Sequence, residues 1–260
     1  VTGAARGIGA ATVHALAHAG WAVVAVDRCS DDPRLPYSLG TEAELTAVVT
    51  GARAAGGGHE QVVASVSDAS SLEAMADVVR LAEDRFGGLD AIVAAAGVIA
   101  GGVPLWEMPV ERQEAVLEGN LLSVVVAATT GIPALLRRPE PRGGRFIAVA
   151  SAAATRGLPM LAAYCAAKAG VTGLVRALAA ELRGTGVTAN CVSPGSTATA
   201  ILDESARLYG LESAEAFSGQ QPLARLIRPD EVAATIAWLA DEATTAVTGA
   251  AIPVDGGLSL

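Results

Sequence analysis

Tyr164 and Lys168 stand four residues apart in the run Tyr164-Cys-Ala-Ala-Lys168, with Ser151 thirteen positions upstream. On a helix that spacing projects a phenol and an ammonium from one face, a turn apart. A fixed ammonium favours the phenolate and lowers the phenol pKa, which makes an inert side chain an acid/base near neutral pH. At the other end of the chain, Thr2-Gly3-Ala-Ala-Arg6-Gly7-Ile8-Gly9 is a glycine-rich turn that opens a helix. Missing side chains let its backbone approach a pyrophosphate, whose charge the free N–H groups of a helix terminus favour. Together these residues point to hydride transfer between a nicotinamide and an alcohol or carbonyl.

Such residues need a scaffold, and the chain alternates short valine-rich runs with longer helical patterns. Residues 21–27, 61–66, 90–95, 145–151, 187–193 and 250–254 read as buried parallel strands. Between them, 8–19, 41–55, 70–86, 110–136, 161–182 and 229–240 read as helices. Ser70 with Glu73 predicts a capping box, and Pro229 followed by Asp230 and Glu231 a helix start. This order implies an α/β fold: a Rossmann-type doubly wound parallel sheet with flanking helices, in a single domain over 1–260. A phosphate turn should follow a strand, yet only Val1 and Thr2 precede Gly3, so the first strand is expected to be incomplete. Two insertions interrupt the pattern. Residues 29–40 carry two prolines that keep them out of a helix, and 199–222 is expected to be helical around Asp203–Tyr209.

Asp27 closes the second strand twenty residues after Gly7. A carboxylate there accepts both hydroxyls of an adenosine ribose and repels a 2′-phosphate, which favours NAD over NADP. Arg28 is the counter-signal, since a guanidinium in that loop can bind a phosphate. Asp68, at the end of the next strand, can bond the adenine amino group or cap a helix.

The 260 residues carry a net charge of −9, which argues against nucleic acid and anionic membrane surfaces. Gly, Pro or charged residues break the apolar stretches short of a bilayer span, and no secretory signal opens the chain. Cys29, Cys165 and Cys191 are odd in number and far apart, so a reduced cytoplasmic setting is expected. His14 and His18 share a helix face without further ligands nearby, and no metal site is expected.

In order and spacing, Thr2–Gly9, Asp27, Asp68, Asn120, Ser151, Tyr164, Lys168, the Ser193-Pro194-Gly195 turn with Thr197 and Thr199, and the closing Thr248-Gly249…Val254-Asp255-Gly256-Gly257 resemble the compact short-chain dehydrogenase/reductase family along nearly the whole chain. The resemblance implies Tyr164 as general acid/base, Lys168 on the nicotinamide ribose, Ser151 on the substrate oxygen, and Asn120 in a helix bend holding a proton-relaying water. It implies cofactor contacts from Gly3, Arg6, Gly7, Ile8 and Gly9, from Asp27, Arg28 and Asp68, and from Ala95, Ala96 and Gly97. Pro194, Gly195, Thr197 and Thr199 would meet the carboxamide. Where the family usually has Asn-Ala-Gly, this chain has Ala95-Ala96-Gly97, which puts the local bonding in doubt. The loop 29–40 and the stretch 151–164 further resemble the mycofactocin-associated branch, which implies a retained NAD reoxidised through a peptide-derived redox carrier.

Val98, Trp106, Leu158, Leu202, Tyr209 and Phe217 are expected to wall an apolar substrate site for a hydrophobic alcohol or ketone. The helices 110–136 and 161–182 are apolar around much of their circumference, which suits a dimer or homotetramer. Two other readings remain: an NADP-linked ketoreductase, and a dinucleotide-sensing regulator, against which the proton-relay residues argue.

Overall fold

The computed structural model describes residues 1–57 and 61–260. Six strands are parallel: β1 (Val23–Asp27), β2 (Val62–Val66), β3 (Ala91–Ala94), β4 (Arg145–Val149), β5 (Thr188–Pro194) and β6 (Ala251–Val254). They pair as β1-β2 and as β3-β4-β5-β6. Residues 1–4 lie between the two sets. Thr2 forms a parallel bridge with Val26 and donates its N–H to the Val93 carbonyl at 2.9 Å, and Ala4 N–H reaches the Val26 carbonyl. The sheet order is therefore β2-β1-(1–4)-β3-β4-β5-β6, with the glycine turn leaving its centre.

Helices cover both faces because neighbouring strand residues point to opposite sides. Ile147 and Val149 join α1 (Gly7–His18), α2 (Glu42–Ala52) and α8 (Pro229–Ala240) in one core, through Val13, Leu16, Leu45, Val232 and Ile236. Phe146 and Ala148 pack against α5 (Ser123–Arg137) and α6 (Ala162–Glu181) on the other face, and α3 (Leu72–Phe86) covers β1 there. This is a single-domain, doubly wound α/β fold. With 61 apolar residues buried among the described residues and few aromatics, alanine and valine let helices and sheet approach closely.

Three expectations change. The helix over 110–136 is α4 (Val110–Leu117) and α5, joined through a wide π-type turn at Glu118–Leu122. The run Val110–Arg137 is long and apolar enough to cross a membrane, unlike the sequence reading, but half of that apolar window is buried against the rest of the fold. The cap of α3 is Ser71, whose hydroxyl accepts from Ala74 N–H at 3.3 Å. Ser70 is unavailable, because its N–H and hydroxyl both donate to Asp68 Oδ1 at 2.9 and 2.7 Å. The second insertion is helical as α7 (Ala200–Leu208), followed by a 3₁₀ turn over Ala214–Gln220.

Candidate active site

Parallel strands place all their carboxyl ends at one edge, and there a cleft of about 760 Å³ opens. Its size lies within the range of small-molecule sites. Gly3 has φ +67°, and a Cβ on it would come within 2.8–2.9 Å of the Ala95–Ala96 backbone. A Cβ on Gly9 would collide with the Gly3 carbonyl oxygen. No side chain caps α1, and its first turn holds no acid, so its leading N–H groups are left for an external acceptor. That cradle fits a dinucleotide phosphate.

Arg6, Gly7, Ile8, Asp27, Arg28 and Asp68 line the same cleft. The Asp27 carboxylate accepts from Ala5 N–H at 3.0 Å and Cys29 N–H at 3.1 Å, which holds it at the mouth of the glycine turn. Asp68 ties down Ser70, and Ser70 reaches Glu118 Oε1 at 3.3 Å. The loop after β1 lies over this end as a strap. Arg6 Nη2 donates to Ser38 O, and Arg34 bridges Asp32 at 2.7 Å and Glu118 at 2.8 Å. Tyr37 Oη accepts from Ile99 N–H at 2.9 Å, so the strap reaches the far side of the cleft.

At the chemical end, Ser151 follows β4 in extended backbone, and its Oγ accepts from Ala153 N–H at 3.1 Å. Tyr164 and Lys168 lie on α6, with Lys168 Nζ 5.7 Å from the phenol ring centroid. Lys168 is 3% exposed and donates to Val149 O at 2.9 Å. Burial pushes the Tyr164 phenol up to about 12, against a smaller lowering from its hydrogen bond with Ser151. Burial likewise brings the Lys168 ammonium down to about 8. The expected lowering of the phenol pKa by the ammonium is therefore not what the protein groups alone produce. Loss of water disfavours both charged forms and outweighs the 5.7 Å attraction.

Asn120 is fully buried in the π-type turn. It donates to Val98 O and Val116 O at 2.8 Å each and accepts from Val98 N–H. Its amide thus clamps the turn after β3 from inside the helix bend. A Cβ on Gly97 would sit 2.9 Å from Asn120 Oδ1 and 3.6 Å from Lys168 Nζ, so the glycine is what lets these two groups approach. Ala95 and Ala96 donate their N–H groups to Thr2 Oγ1, both at 3.1 Å. Pro194, Gly195, Thr197 and Thr199 line the cleft beyond β5, and Thr199 is close enough to Gly7 that a Cβ there would touch its methyl at 3.3 Å.

Val98, Leu158, Leu202, Tyr209 and Phe217 line the same cleft as Tyr164. Tyr209 donates to Pro159 O at 2.7 Å and packs edge-on against Phe217 at 6.1 Å. Trp106 does not join them. It is 85% exposed on a 3₁₀ turn between Pro104 and Pro109, whereas Met108, just after the turn, packs in an apolar cluster with Leu35, Leu39 and Val98. Sequence reasoning missed Asp32, Arg34, Leu39, Glu118, Ser205, Gln220 and Leu258, which also line the cleft. Only the density of charge in the strap hinted at the first two; Glu118 is 84 positions from its partner. Among the described residues no group of three or more His, Cys, Asp or Glu could hold a metal.

The fold and cleft are those of dinucleotide-dependent oxidoreductases, and comparison with known proteins agrees. The family described as Enoyl-(Acyl carrier protein) reductase, of the short-chain alcohol dehydrogenase group, matches residues 3–259. The chain belongs to the short-chain dehydrogenase/reductase family. It is 36% identical to D-threitol dehydrogenase of Mycolicibacterium smegmatis, over 100% of this chain and 92% of that protein. It is also 36% identical to cis-4-hydroxycyclohexanecarboxylate dehydrogenase of Sinomonas cyclohexanicum, over 99% and 94%. The crystal structure of carveol dehydrogenase from Mycobacterium avium in complex with NAD superposes with a TM-score of 0.92 at 28% identity, covering 99% of this chain and 95% of that one. The chain is accordingly an oxidoreductase acting on an alcohol or keto group.

Proposed function

We propose that this enzyme transfers hydride between NAD and a hydrophobic secondary alcohol or its ketone, with Tyr164 as the general acid/base. The observation that carries the reading is one cleft lined by Ser151, the half-buried Tyr164 phenol and the buried Lys168 ammonium as well as by the glycine cradle. When bound, the nicotinamide supplies the hydride acceptor or donor. Tyr164 takes the carbinol proton in oxidation and returns it to the carbonyl in reduction. Ser151 bonds the substrate oxygen and orients it toward the phenol. Lys168 spends one N–H on Val149 and keeps two for the cofactor ribose. Asn120 sets the turn at Gly97–Val98 and, with Lys168, forms the inner end of a proton path.

Asp27 at the ribose end supports NAD, as does the engagement of Arg28 with Ser30 and Asp32 rather than with open cleft. The strap, pinned to Glu118 and Ile99, supports a retained NAD that is reoxidised in place by a mycofactocin-type carrier. The apolar wall of Leu158, Leu202 and Phe217 supports a hydrophobic substrate. Exposed Val110, Leu117 and Leu122 along α4 and the π-type turn support a dimer or tetramer.

Tyr164→Phe tests the core of the reading. Turnover should fall by roughly 10²–10⁴-fold while dinucleotide binding persists. Retained turnover would rule Tyr164 out as the acid/base. A panel of cyclic, aliphatic and sugar alcohols checks the pocket, and a preference for polyols would overturn the hydrophobic assignment. Nucleotide that exchanges freely with added NAD would remove the retained-cofactor part.

A further inference from the structure

A 2′-phosphate is bound by a guanidinium with unspent N–H groups and no competing carboxylate. Arg28 and Arg34 both line the cleft at its ribose end, beside Asp27, and on residue type alone they would accept such a phosphate. Arg34 is wholly committed within the strap, and Arg28 is drawn into it through Nε and Nη1. Arg34 grips Asp32 through Nε at 2.9 Å and Nη2 at 2.7 Å, and Glu118 through Nη1 at 2.8 Å. Arg28 Nη1 lies 3.5 Å from Asp32 Oδ2, and its Nε 3.5 Å from Ser30 Oγ. Asp32 itself is 3% exposed and accepts Arg34 N–H at 2.9 Å. The Arg34 guanidinium holds this carboxyl down at about 2, so it stays an anion at every working pH.

We propose that Asp32 is a specificity-determining residue for the dinucleotide: it commits Arg28 and Arg34 within the strap and so denies a 2′-phosphate its cations. The inference rests on the reading of this cleft as an NAD site. Asp27 repels the phosphate directly; Asp32 acts at one remove, by occupying the residues that would attract it. The two contacts differ in strength. Arg34 is held by two carboxylates in short bonds, whereas Arg28 is held by one at 3.5 Å. Arg28 is therefore the cation that loss of the Asp32 charge releases first.

Asp32→Asn keeps an acceptor for the Arg34 N–H and removes the charge. The protein is first stripped of any bound nucleotide, then equilibrated with a mixture of NAD+ and NADP+, and the nucleotides held by the protein after rapid ultrafiltration are resolved by chromatography. The NADP+ to NAD+ occupancy ratio should rise about tenfold or more in Asp32→Asn, the scale of one charge-assisted contact. Adding Arg28→Gln to Asp32→Asn should reverse most of the gain. Arg28→Gln alone should leave the ratio unchanged, because that guanidinium is already committed; this variant keeps the strap's buried acid and tests the idea even if Asp32→Asn folds poorly. An unchanged ratio in a folded Asp32→Asn protein, or a fall in NADP+ occupancy in Arg28→Gln alone, would overturn the proposal. Native protein that takes NADP+ in preference to NAD+ would instead overturn the NAD reading beneath it.

Discussion

Replacing Lys168 with methionine should stabilise the free protein at neutral pH while abolishing its turnover. The Lys168 ammonium ionises at 10.5 in the unfolded reference and at about 8 in the folded chain, because burial penalises its charge. Between these values the unfolded chain binds more protons than the folded one, so unfolding free energy rises with pH across that window. Below pH 8 the lysine is charged in both states, and the folded state carries a penalty of about 3 kcal/mol, at ~1.4 kcal/mol per pKa unit. Above 10.5 it is neutral in both, and the penalty is gone. Methionine fills similar volume without charge but forfeits the hydrogen bond to Val149 O, worth about 1–2 kcal/mol. The net gain at pH 7 is about 1–2 kcal/mol. Urea unfolding of nucleotide-free native and Lys168→Met protein at intervals from pH 7 to 9.5 reads this directly, and the difference between the two cancels every other titrating group. Stopping at 9.5 avoids Tyr164, whose raised pKa of about 12 lowers stability as pH climbs from 10 toward 12. The difference should shrink with rising pH. A Lys168→Met protein that is less stable at pH 7, or a difference that does not vary with pH, would refute the account of a buried, desolvated ammonium.

Two further outcomes follow from the turn after β3. Gly97→Ala should fold with a lowered Tm and lose most of its kcat, since its Cβ would press on Asn120 Oδ1 at 2.9 Å and crowd Lys168; steady-state kinetics of the folded variant together with its melting curve checks this. Asn120→Ala should cost about 2–4 kcal/mol in urea unfolding, because it leaves the buried Val98 N–H and carbonyl without their amide partner. A loss below ~1 kcal/mol would mean that the backbone finds other partners.

Local signals read well where one physical cause acted alone. Pro229 with Asp230 and Glu231 marks the start of α8, and Glu231 accepts the Arg228 N–H at 2.8 Å as such a start requires. Valine runs marked the buried strands because both faces of a parallel sheet are covered. Where two residues compete for one role, periodicity cannot arbitrate: Ser70 and Ser71 are both good caps, and only the Asp68 turn decides between them. Apolar character places Trp106 in the wall, but it cannot show which residue of the turn faces inward, and here that is Met108. The strap's pairing with Glu118 and Ile99 is a long-range contact that no local pattern encodes. Likewise the Tyr164–Lys168 spacing showed which groups meet, while the direction of their pKa shifts depends on burial that spacing does not reveal.

The alanine at position 95, where the family resemblance leads one to expect an asparagine, can be understood from what holds that segment. An amide there would be one way to tie the sheet centre to the turn. In this chain the Thr2 hydroxyl accepts from both Ala95 and Ala96 N–H, Asn120 takes both backbone groups of Val98, and Tyr37 accepts from Ile99 N–H. Three side chains from the first strand segment, the helix bend and the strap thus take the N–H groups of 95, 96, 98 and 99 and the Val98 carbonyl. A buried N–H left unpaired costs about 1–3 kcal/mol, so this set of partners removes the penalty that loss of the asparagine would otherwise impose. The same bonds join the glycine turn, the strap and the residues beside Lys168 into one rigid frame. A strap that supplies one of the bonds cannot lift without giving up its contact with Ile99 N–H.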